Sequence, residues 1–384
     1  MRALIDLTPT IQRHAGIGRY AEELARALLA LGTGDELRIL YADTRGRTPA
    51  PPLDALPRKV VTWSNKRWRM TVLLASYARM SMDAFLGDTD VFHATDHLLP
   101  PLRRVRSVFT LHDLAFLRCP ETHLPLNRLF LSLMVRRFLR RADAIIAISE
   151  HTKADAIRYY GLDESRVHVI PEGVDACFQP MGDAQSLAAV RRRHNLPERF
   201  ILFVGTIEPR KNLVALLEAY RVLRSEGRSE KLVVVGRKGW RWQPILQRMR
   251  DLGLDGQVLF PGFIPDEDLP AIYAAADVFV FPSQYEGFGL PPLEAMASGC
   301  PVVCSNASSL PEVCGDAALL LPPDDIVALT SAIRRVLDDP VLRAELRARG
   351  LRQASRFSWR EAARRTLDVY RAVAEAGAKT GSLS

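Results

Sequence analysis

The chain has 384 residues, of which 48% are hydrophobic and 25% are charged, and its formal net charge is +8. This length predicts two domains of ordinary size, and the composition is that of a folded protein. No apolar run approaches the roughly 20 residues that a membrane-spanning helix needs, and no nucleic-acid-binding motif accompanies the positive charge. The sequence therefore excludes a transmembrane segment, and we expect no nucleic-acid partner.

Strand-like and helical segments alternate along the first half of the chain. An amphipathic helix over Gly18–Leu31 follows the first strand, because apolar residues recur there at helical spacing, and its entry HAGIGRY is a glycine-bearing helix N-terminus. Such alternation predicts an α/β fold with mostly parallel sheets. The predicted strands of this half are Arg2–Leu7, Leu37–Tyr41, Lys59–Trp63, Val91–Ala94, Val105–Leu111, Ala144–Ile148 and Val167–Ile170.

The positive charge is concentrated in two parts of the first half. The helical segment Lys66–Arg79 has four basic residues and no acid, interleaved with large apolar residues, and Arg103–Arg141 holds nine arginines against Asp113 and Glu121. Basic and large apolar residues on one helix are typical of an interfacial membrane segment. The alternative is a helix with one buried stripe and a solvated basic face.

The boundary between the halves is predicted near Asp175–Asn195, where proline, glycine and polar residues precede a basic helix. We place the domains at 1–180 and 181–358. Two doubly wound domains facing each other would direct the carboxyl ends of their strands, and their ligand sites, toward a shared central cleft. The predicted strands of the second half are Phe200–Gly205, Leu232–Gly236, Val258–Phe260, Val278–Phe281, Pro301–Cys304 and Ala318–Leu321.

The cysteines and the start of the chain bear on its compartment. The five cysteines are odd in number and show no Cys-x-x-Cys spacing, so we expect reduced thiols and no zinc site. The first residues, MRALIDLTPT, pass directly into a strand-like run without the apolar core of a signal peptide. We therefore expect a cytoplasmic protein.

The most informative segment is Glu286–Met296, EGFGLPPLEAM, which follows the strand-like run Asp277–Ser283. It predicts a glycine-rich turn and then a helix over Pro291–Ser298. A helix N-terminus reached through glycines presents free N–H groups and a partial positive charge, which suit a phosphate or diphosphate. The carboxylates of Glu286 and Glu294 can hold hydroxyl groups on either side of that anion, as a nucleotide sugar would present them. The alternative is structural, with the carboxylates only complementing the helix dipole.

Arg210 and Lys211 stand together at the start of another predicted helix. A cation in the first turn opposes the helix dipole unless an anion compensates it. Two such cations favour an anion-binding site, and a solvated lysine at a helix start is the alternative.

A cluster of imidazoles and carboxylates suggests a metal-dependent hydrolase as an alternative function, since both are common metal ligands. These residues fall on strands and the loops after them, and no further ligand pattern supports them, so we expect no metal. The triplet Asp88–Asp90 resembles a metal-binding D-x-D motif but precedes its strand, at the wrong end for a cleft. The clustered residues are His93, Asp96, His97, His112 and Asp113.

These motifs resemble those of the retaining glycosyltransferases of family 4, which have the GT-B architecture. The likeness is carried by Glu286 and Glu294 as an E-x₇-E motif and by Phe203–Leu213, FVGTIEPRKNL, which resembles the family's diphosphate-binding strand and turn. Thr206 stands where many members have arginine, and we expect Arg210 to supply that charge. Further matches follow the family's order over nearly the whole chain: Gly16–Tyr20 (GIGRY), Thr110–Leu114 (TLHDL), Ala147–Glu150 (AISE) and Ile170–Asp175 (IPEGVD).

The resemblance implies two Rossmann-like domains, an N-terminal one for the acceptor and a C-terminal one for the nucleotide sugar, with a last helix at about 359–375 packing back on the first. It implies that Glu286 contacts the donor sugar and Glu294 the ribose. It also implies a reaction without metal or cofactor. The catalytic residues it implies are Glu286, His112, Lys211 and Arg210, and the donor-binding residues are Glu294, Gly289, Leu290, Phe288, Gly205, Thr206 and Gly16.

The implied activity is transfer of a hexose to a saccharide acceptor. The stretches TLHDLAFLRCPETH and EPRKN are similar to those of bacterial mannosyltransferases of polysaccharide assembly, which implies GDP-mannose as donor, a lipid-linked acceptor and peripheral contact with the membrane through the basic helices. A UDP-hexose donor is an alternative. Two further alternatives are a nucleotide-sugar epimerase or hydrolase on the same fold and a binding protein without activity.

Overall fold

The computed structural model of the chain describes residues 1–12 and 15–381, with the backbone alone at residues 15 and 378–381. Within this part, no helix has both the length and the apolar composition that crossing a membrane requires. The strands are β1 Arg2–Asp6, β2 Glu36–Ala42, β3 Arg58–Val61, β4 Val91–Ala94, β5 Arg106–Leu111, β6 Ala144–Ala147, β7 Val167–Val169, β8 Phe200–Val204, β9 Lys231–Val235, β10 Val258–Gly262, β11 Val278–Phe281, β12 Val302–Ser305 and β13 Ala318–Leu321. The helices are α1 Thr8–Ile11, α2 Ala15–Ala30, α3 Asn65–Tyr77, α4 Asp83–Leu86, α5 Ala115–Arg118, α6 Pro125–Arg141, α7 Glu150–Tyr160, α8 Ala184–Arg193, α9 Leu213–Ser225, α10 Gln243–Asp251, α11 Leu269–Ala275, α12 Leu290–Ala297, α13 Leu310–Cys314, α14 Ile326–Asp338, α15 Pro340–Ala354 and α16 Trp359–Gly381.

The described strands form two sheets. The first has the order β3-β2-β1-β4-β5-β6-β7 and the second the order β10-β9-β8-β11-β12-β13, and the strands of both are paired parallel. In each sheet the strand order reverses once, between β1 and β4 and between β8 and β11. Helices lie in most of the connections between consecutive strands, as in a doubly wound fold. The predicted α/β class is confirmed.

Continuous apolar runs explain where the central strands lie. β4, β6, β8, β11 and β12 are buried along their whole length, as parallel strands covered on both faces should be. The predicted strand Lys59–Trp63 is wrong at its end, because β3 stops at Val61 and Trp63 is 47% exposed. An edge strand such as β3 is covered less, so apolar residues mark its end poorly.

The chain divides into two compact units. The first comprises Met1–Leu114, Pro125–Gly173 and the chain from Ser358 onward, and the second comprises Ala115–Leu124 and Val174–Phe357. Within the second unit, the Trp240 indole N–H donates to the carbonyl oxygen of Thr122, and the rings of Trp240 and His123 lie 6.0 Å apart. These contacts hold the short segment to the rest of its unit.

The last helix, α16, is built into the first unit by buried polar and aromatic contacts. The Tyr370 hydroxyl lies 2.6 Å from His93 Nδ1, and His93 Nε2 lies 2.7 Å from Thr110 Oγ1. Burial, with a smaller contribution from a neighbouring imidazole, lowers the pKa of His93 to about 3, so the ring is neutral and both nitrogens are used. At the start of the helix, a Cβ on Gly173 would lie 2.1 Å from the Trp359 nitrogen, so only glycine fits there.

We expect Tyr370→Phe to lower the free energy of unfolding by about 1–3 kcal/mol, because the buried Nδ1 of His93 would lose its partner. Chemical denaturation measures the change. The matched control is Tyr77→Phe, since Tyr77 is 64% exposed, and this change should stay within about 0.5 kcal/mol. Equal stability of Tyr370→Phe and the wild type would contradict the role given to the buried pair.

Candidate active site

The second sheet has a crevice where its strand order reverses, because the connections after β8 and β11 leave in opposite directions. The segment after β8 continues through Gly205 and Thr206 to a 3-10 turn, Pro209–Lys211. The segment after β11 leads to Glu286 and then to α12. Two sequence segments more than seventy residues apart therefore meet at the carboxyl edge of one sheet.

Glycines allow the close approach of these loops. A Cβ on Gly236, which has φ 144°, would lie 2.0 Å from the carbonyl oxygen of Gly205, so the turns after β8 and β9 touch through their backbones. Gly289 has φ 123° and precedes the first residue of α12, and a Cβ there would lie 2.8 Å from the Leu310 side chain. Both positions require glycine on conformational and steric grounds.

Glu286 is the centre of a buried ion-pair cluster. Lys211 Nζ lies 2.6 Å from Glu286 Oε1, and Arg210 Nη1 lies 3.1 Å from Oε2. The Ser283 hydroxyl donates to Oε1 at 2.5 Å. The side chains of Glu286, Arg210 and Lys211 are 9%, 13% and 11% exposed, so these charges satisfy one another largely out of water. We name Glu286, Arg210 and Lys211 the carboxylate cluster.

The cluster keeps its carboxylate ionised. Burial opposes the charge on Glu286, but the nearby charges of Lys211 and Arg210 outweigh it and lower the pKa of the carboxyl. The Lys211 ammonium also lies 5.3 Å from the centroid of the Phe281 ring, close enough for a cation–π contact.

Several partners of the cluster carry no recognisable sequence signal. Arg210 donates to the carbonyl oxygen of Tyr285 at 2.7 Å and pairs with Glu208 at 3.1 Å. The backbone N–H of Glu286 donates to Ser308 Oγ at 2.7 Å, and the Ser309 hydroxyl donates to the carbonyl oxygen of Glu286 at 3.0 Å. Glu208 is buried and is the one acidic residue between the end of β8 and Arg210, but its position in the sequence does not distinguish it from a solvated loop residue.

The helix that follows, α12, spans Leu290–Ala297, one residue earlier at each end than the predicted Pro291–Ser298. Gly289 is the last residue of the turn, and Leu290 is the first residue of the helix. Pro291 therefore lies at the second helical position. Phe288 is buried against Phe357, with ring centroids 5.6 Å apart, and its carbonyl oxygen accepts from the Ser309 hydroxyl at 2.6 Å. The contacts of Phe288 with Phe357 and Ser309 thus fix the turn that leads into α12.

Glu294 lies in the interior of α12 and is 4% exposed. The Tyr273 hydroxyl of α11 donates to its Oε2 at 3.0 Å. Lys211 was predicted at the first turn of a helix, but it lies in the 3-10 turn and Asn212 separates it from α9. The anion that compensates Lys211 in this structure is Glu286.

The remaining predicted residues lie in other surroundings. Thr206 lies against the loop after β9, where a Cβ on Gly239 would meet its methyl group at 2.6 Å. Gly16 in α2 is exposed and has open space around it, whereas His14 of the predicted entry HAGIGRY lies outside the described residues. His112 belongs to the first unit with Gly16.

His112 is buried at the carboxyl end of β5. Its Nε2 N–H donates to the carbonyl oxygen of Thr95 at 2.8 Å, and its ring lies edge-on to Tyr20 at 4.9 Å. Burial, reinforced by His97, lowers the pKa of His112 to about 4. The imidazole is therefore neutral near pH 7, with its Nδ1 as an acceptor.

The alternative metal site gains no support from the geometry. Among the described residues, no group of three or more His, Cys, Asp or Glu side chains is arranged to hold a metal ion. His93 is engaged by Tyr370 and Thr110. Asp88 and Asp90 of the D-x-D-like triplet both pair with Arg2, which gives them a structural role at the amino end of the sheet.

The carboxylate cluster should show strong energetic coupling. Removing one partner of a buried ion pair leaves the remaining charge less well compensated, so Glu286→Gln and Lys211→Met should each lower the free energy of unfolding by about 3–5 kcal/mol. Their double mutant should be more stable than additivity predicts, by about 1–3 kcal/mol. The control is the half-exposed pair Glu226–Arg334, with N···O at 3.0 Å, whose coupling should stay below about 1 kcal/mol. Equal coupling in the two pairs would contradict the description of the cluster.

The lowered pKa of Glu286 also predicts a pH dependence. A depressed carboxyl pKa stabilises the folded state above the ordinary value of 4.5, and this contribution is lost as the pH falls through the lower folded-state pKa. Unfolding free energies measured from neutral to acid pH should therefore show the gap between wild type and Glu286→Gln narrowing below about pH 4.5. A gap that widens on acidification would contradict the sign of the shift.

Two family models match the chain. Residues 14–177 match Glycosyltransferase Family 4, and residues 188–353 match Glycosyl transferases group 1. The O-antigen chain mannosyltransferase B of Escherichia coli is 33% identical over 388 aligned residues, which cover 97% of this chain and 100% of that protein. The serotype-specific mannosyltransferase WbdA of Escherichia coli is 35% identical over 284 residues, which cover 72% of this chain and 34% of that protein.

Among solved structures, sucrose-phosphate synthase from Thermosynechococcus elongatus superposes with a TM-score of 0.78 at 23% identity, covering 98% of this chain and 100% of that one. At this level of identity the likeness establishes the fold, which is GT-B. With both family models and a full-length relative in agreement, the chain belongs to the family 4 glycosyltransferases and is a hexosyltransferase of the GT-B fold.

Proposed function

We propose that the enzyme transfers mannose from GDP-mannose to a hydroxyl group of a lipid-linked saccharide, with retention of the anomeric configuration, in polysaccharide or lipopolysaccharide synthesis. The sugar and the process are supported by the names of two relatives, an O-antigen chain mannosyltransferase and a serotype-specific mannosyltransferase. The observation that carries the proposal is the carboxylate cluster beside the N-terminus of α12.

The donor diphosphate would lie between Lys211, Arg210 and the start of α12. The two side chains supply fixed positive charge, and the N–H groups at Gly289 and Leu290 supply donors where the helix dipole is positive. Negative charge develops on the leaving diphosphate, so stabilising it is the largest contribution expected of the protein. The two cations and the helix end carry out the charge neutralisation that a divalent metal carries out in other transferases, and we propose that no metal is required.

Glu286 and Glu294 would hold the two sugars of the donor. Glu286 would accept hydrogen bonds from hydroxyls of the transferred hexose, and Glu294 from the ribose hydroxyls, with Tyr273 orienting its carboxylate. Gly205, Thr206 and Phe288 would shape the turns around the diphosphate, and these roles rest on the family resemblance together with the geometry at the sheet edge.

The proposed reaction breaks the bond between the sugar C1 and the diphosphate oxygen and forms a bond from C1 to the acceptor oxygen on the same face. The acceptor proton passes to the departing phosphate oxygen, and the transition state is oxocarbenium-like. His112, neutral and held by Thr95, would lie near the donor sugar, where a positive imidazolium would oppose the developing oxocarbenium charge. Gly16 has no atom within 4 Å of the position that a Cβ would take, and it would allow the phosphates and the acceptor to approach the backbone of α2.

The compartment we propose is the cytoplasm, at the inner face of the membrane. All five cysteines are free thiols, as is usual in a reducing compartment, and a lipid-linked acceptor would be met at the membrane surface.

A transfer assay tests the proposal. The full chain is incubated with GDP-mannose, GDP-glucose, UDP-glucose or UDP-galactose and a mannose-terminated glycolipid acceptor, with and without a chelator. We expect transfer from GDP-mannose, undiminished by the chelator, and an α-linked product by NMR, since the donor is α-linked. Transfer from a UDP-hexose alone would support the alternative donor, and a β-linked product would overturn retention. Sugar release or epimerisation without acceptor would favour the hydrolase or epimerase alternative.

Substitutions in the carboxylate cluster should reduce turnover much more than matched changes elsewhere. We expect Lys211→Met and Glu286→Gln to lower kcat by about a hundredfold to a thousandfold, the usual effect of removing one preorganised stabilising group. Steady-state kinetics are measured at a temperature where both variants are folded. One control is Lys231→Met, at the amino end of β9 and so at the end of the sheet opposite the carboxylate cluster. The other is Glu218→Gln, in which the changed residue pairs with Arg248. Undiminished turnover in both cluster variants would refute the site.

A further inference from the structure

We propose that a groove at the edge of the first sheet binds a second sugar residue of the acceptor, one that precedes the residue to which the hexose is transferred. The proposal rests on the proposed function, because it takes the acceptor to be a saccharide, and it adds that the acceptor is an oligosaccharide recognised over more than one residue. We name this site the acceptor groove, and its lining side chains include Tyr41, Arg47, Thr48, Arg58, Val60 and Thr62.

The floor of the acceptor groove is one face of the sheet at its edge strand, β3. Arg58, Val60 and Thr62 alternate along the chain, so their side chains lie on the same face. Tyr41 of β2 is paired with Val60 in the parallel register and lies beside it. Tyr41 is 2% exposed, whereas Val60 is 39% exposed. The cover over this face of the sheet therefore ends between β2 and β3 and leaves the groove open.

The loop after β2 forms the wall of the acceptor groove, and a buried carboxylate fixes this loop. Asp43 accepts hydrogen bonds from the backbone N–H groups of Arg45 and Arg47, both at 2.8 Å, and from Arg47 Nε at 2.8 Å. The Asp43 side chain is 1% exposed. Three hydrogen bonds to one buried group hold residues 43–48 in place, so the groove is formed before a ligand arrives and no loop has to be ordered on binding.

The size and the chemistry of the acceptor groove suit a sugar residue. Its volume of about 330 Å³ is at the lower end of the range for ligand pockets, roughly 300–1,000 Å³. Val60 supplies an apolar surface for the C–H groups of a sugar ring. The other groups are three threonine hydroxyls, which donate and accept hydrogen bonds, and two guanidinium groups, which only donate: Thr44, Thr48, Thr62, Arg47 and Arg58. A ligand rich in hydroxyl groups matches this set.

The charges in the acceptor groove favour a neutral saccharide over an anion. Arg47 Nη2 lies 2.7 Å from Asp43 Oδ1, so this guanidinium is matched by a carboxylate and offers hydrogen bonds without a net charge. The Arg58 guanidinium donates to the carbonyl oxygen of Asp54 at 3.2 Å. A phosphate site would bring together cations that only the ligand compensates, and here one of the two guanidinium groups is already compensated.

The acceptor groove adjoins the crevice of the first sheet. The strand order of this sheet reverses between β1 and β4, and ligands of doubly wound sheets bind at the carboxyl ends of the strands at such a reversal. Asp6 ends β1 and Asp96 lies just beyond β4, and these residues are 3% and 5% exposed. Carboxylates at this place can accept hydrogen bonds from the hydroxyl groups of the sugar residue that is to be extended.

Hydrogen bonds of one threonine join the crevice to the acceptor groove. The Thr8 N–H donates to Asp6 Oδ1 at 2.8 Å, and Thr8 Oγ1 accepts from the N–H of Ala42 at 3.1 Å. Ala42 is followed directly by Asp43, which fixes the wall of the groove. Because β2 separates β1 from β3, the groove lies one or two strand spacings, about 5–10 Å, from the end of β1. One or two sugar residues cover this distance, and β3 ends the sheet, so a longer acceptor can continue past it.

Transfer to acceptors of increasing length tests the proposal. The full chain is assayed with GDP-mannose and methyl α-mannoside, an α-linked mannobiose or an α-linked mannotriose. We expect kcat/KM to rise about tenfold or more from the monosaccharide to the trisaccharide, the effect of one or two added hydrogen bonds to charged groups. Equal kcat/KM values for all three acceptors would overturn the proposal and leave the proposed function intact.

Variants assign the length dependence to the acceptor groove. Arg58→Gln removes a donor and Thr48→Trp fills the space, so each should lower the ratio of the trisaccharide and monosaccharide kcat/KM values about tenfold. The matched controls are Arg38→Gln, on the opposite face of β2 from Tyr41, and Thr33→Trp, at an exposed position. Both controls should keep the ratio of the wild type. Equal losses in the controls, or an unchanged ratio in both groove variants, would overturn the proposal.

A binding measurement separates this proposal from the proposed function. Isothermal titration calorimetry with mannotriose, in the presence and absence of GDP, should show about tenfold weaker binding to Arg58→Gln than to the wild type, whereas both proteins should bind GDP alike. If mannotriose binds as expected while GDP-mannose gives no transfer, the proposed function fails and the acceptor groove stands. Binding of inorganic phosphate in place of mannotriose, lost in Arg58→Gln, would overturn the proposal in favour of an anion site.

Discussion

The candidate site depends on one buried carboxylate that is matched by two cations. An isolated buried charge is very unfavourable, but Glu286 has Lys211 at 2.6 Å, Arg210 at 3.1 Å and the Ser283 hydroxyl within hydrogen-bond distance. The reverse also holds, since the carboxylate keeps two cations in place where there is little water to screen them. In the proposed function these cations are already oriented when a diphosphate arrives, so little reorganisation accompanies the development of charge on the leaving group.

The scaffold explains why these groups can meet. The order of the second sheet reverses between β8 and β11, which opens a crevice at their carboxyl ends, and the loops that enter it come from distant parts of the sequence. Gly205 and Gly236 let two of those loops touch through their backbones, and Gly289 turns the chain into α12. The Ser309 hydroxyl lies within hydrogen-bond distance of the backbone carbonyl oxygens of Glu286 and Phe288, which helps to fix the turn that leads into α12.

Sequence patterns predicted the elements of this arrangement better than their contacts. Apolar runs located the central strands, since a strand covered on both faces must be apolar throughout, and β11 has the predicted bounds. The motif containing Glu286 predicted a turn and a helix start because glycine and proline restrict the backbone locally. The roles assigned to Glu286, Glu294, Lys211 and His112 stay predictions. The sequence did not reveal that Lys211 and Arg210 pair with Glu286 itself, nor the parts of Glu208 and Ser308, because those contacts depend on how segments far apart in the chain fold together.

The most direct test of the central claim is the affinity of GDP, measured by isothermal titration calorimetry, for the wild type and for Lys211→Met. If the cluster cations bind the diphosphate, the variant should bind GDP about tenfold to a hundredfold more weakly, the usual loss of a hydrogen bond to a charged group. Guanosine, which lacks phosphates, should bind both proteins alike. A GDP affinity that is the same in both proteins would contradict the account.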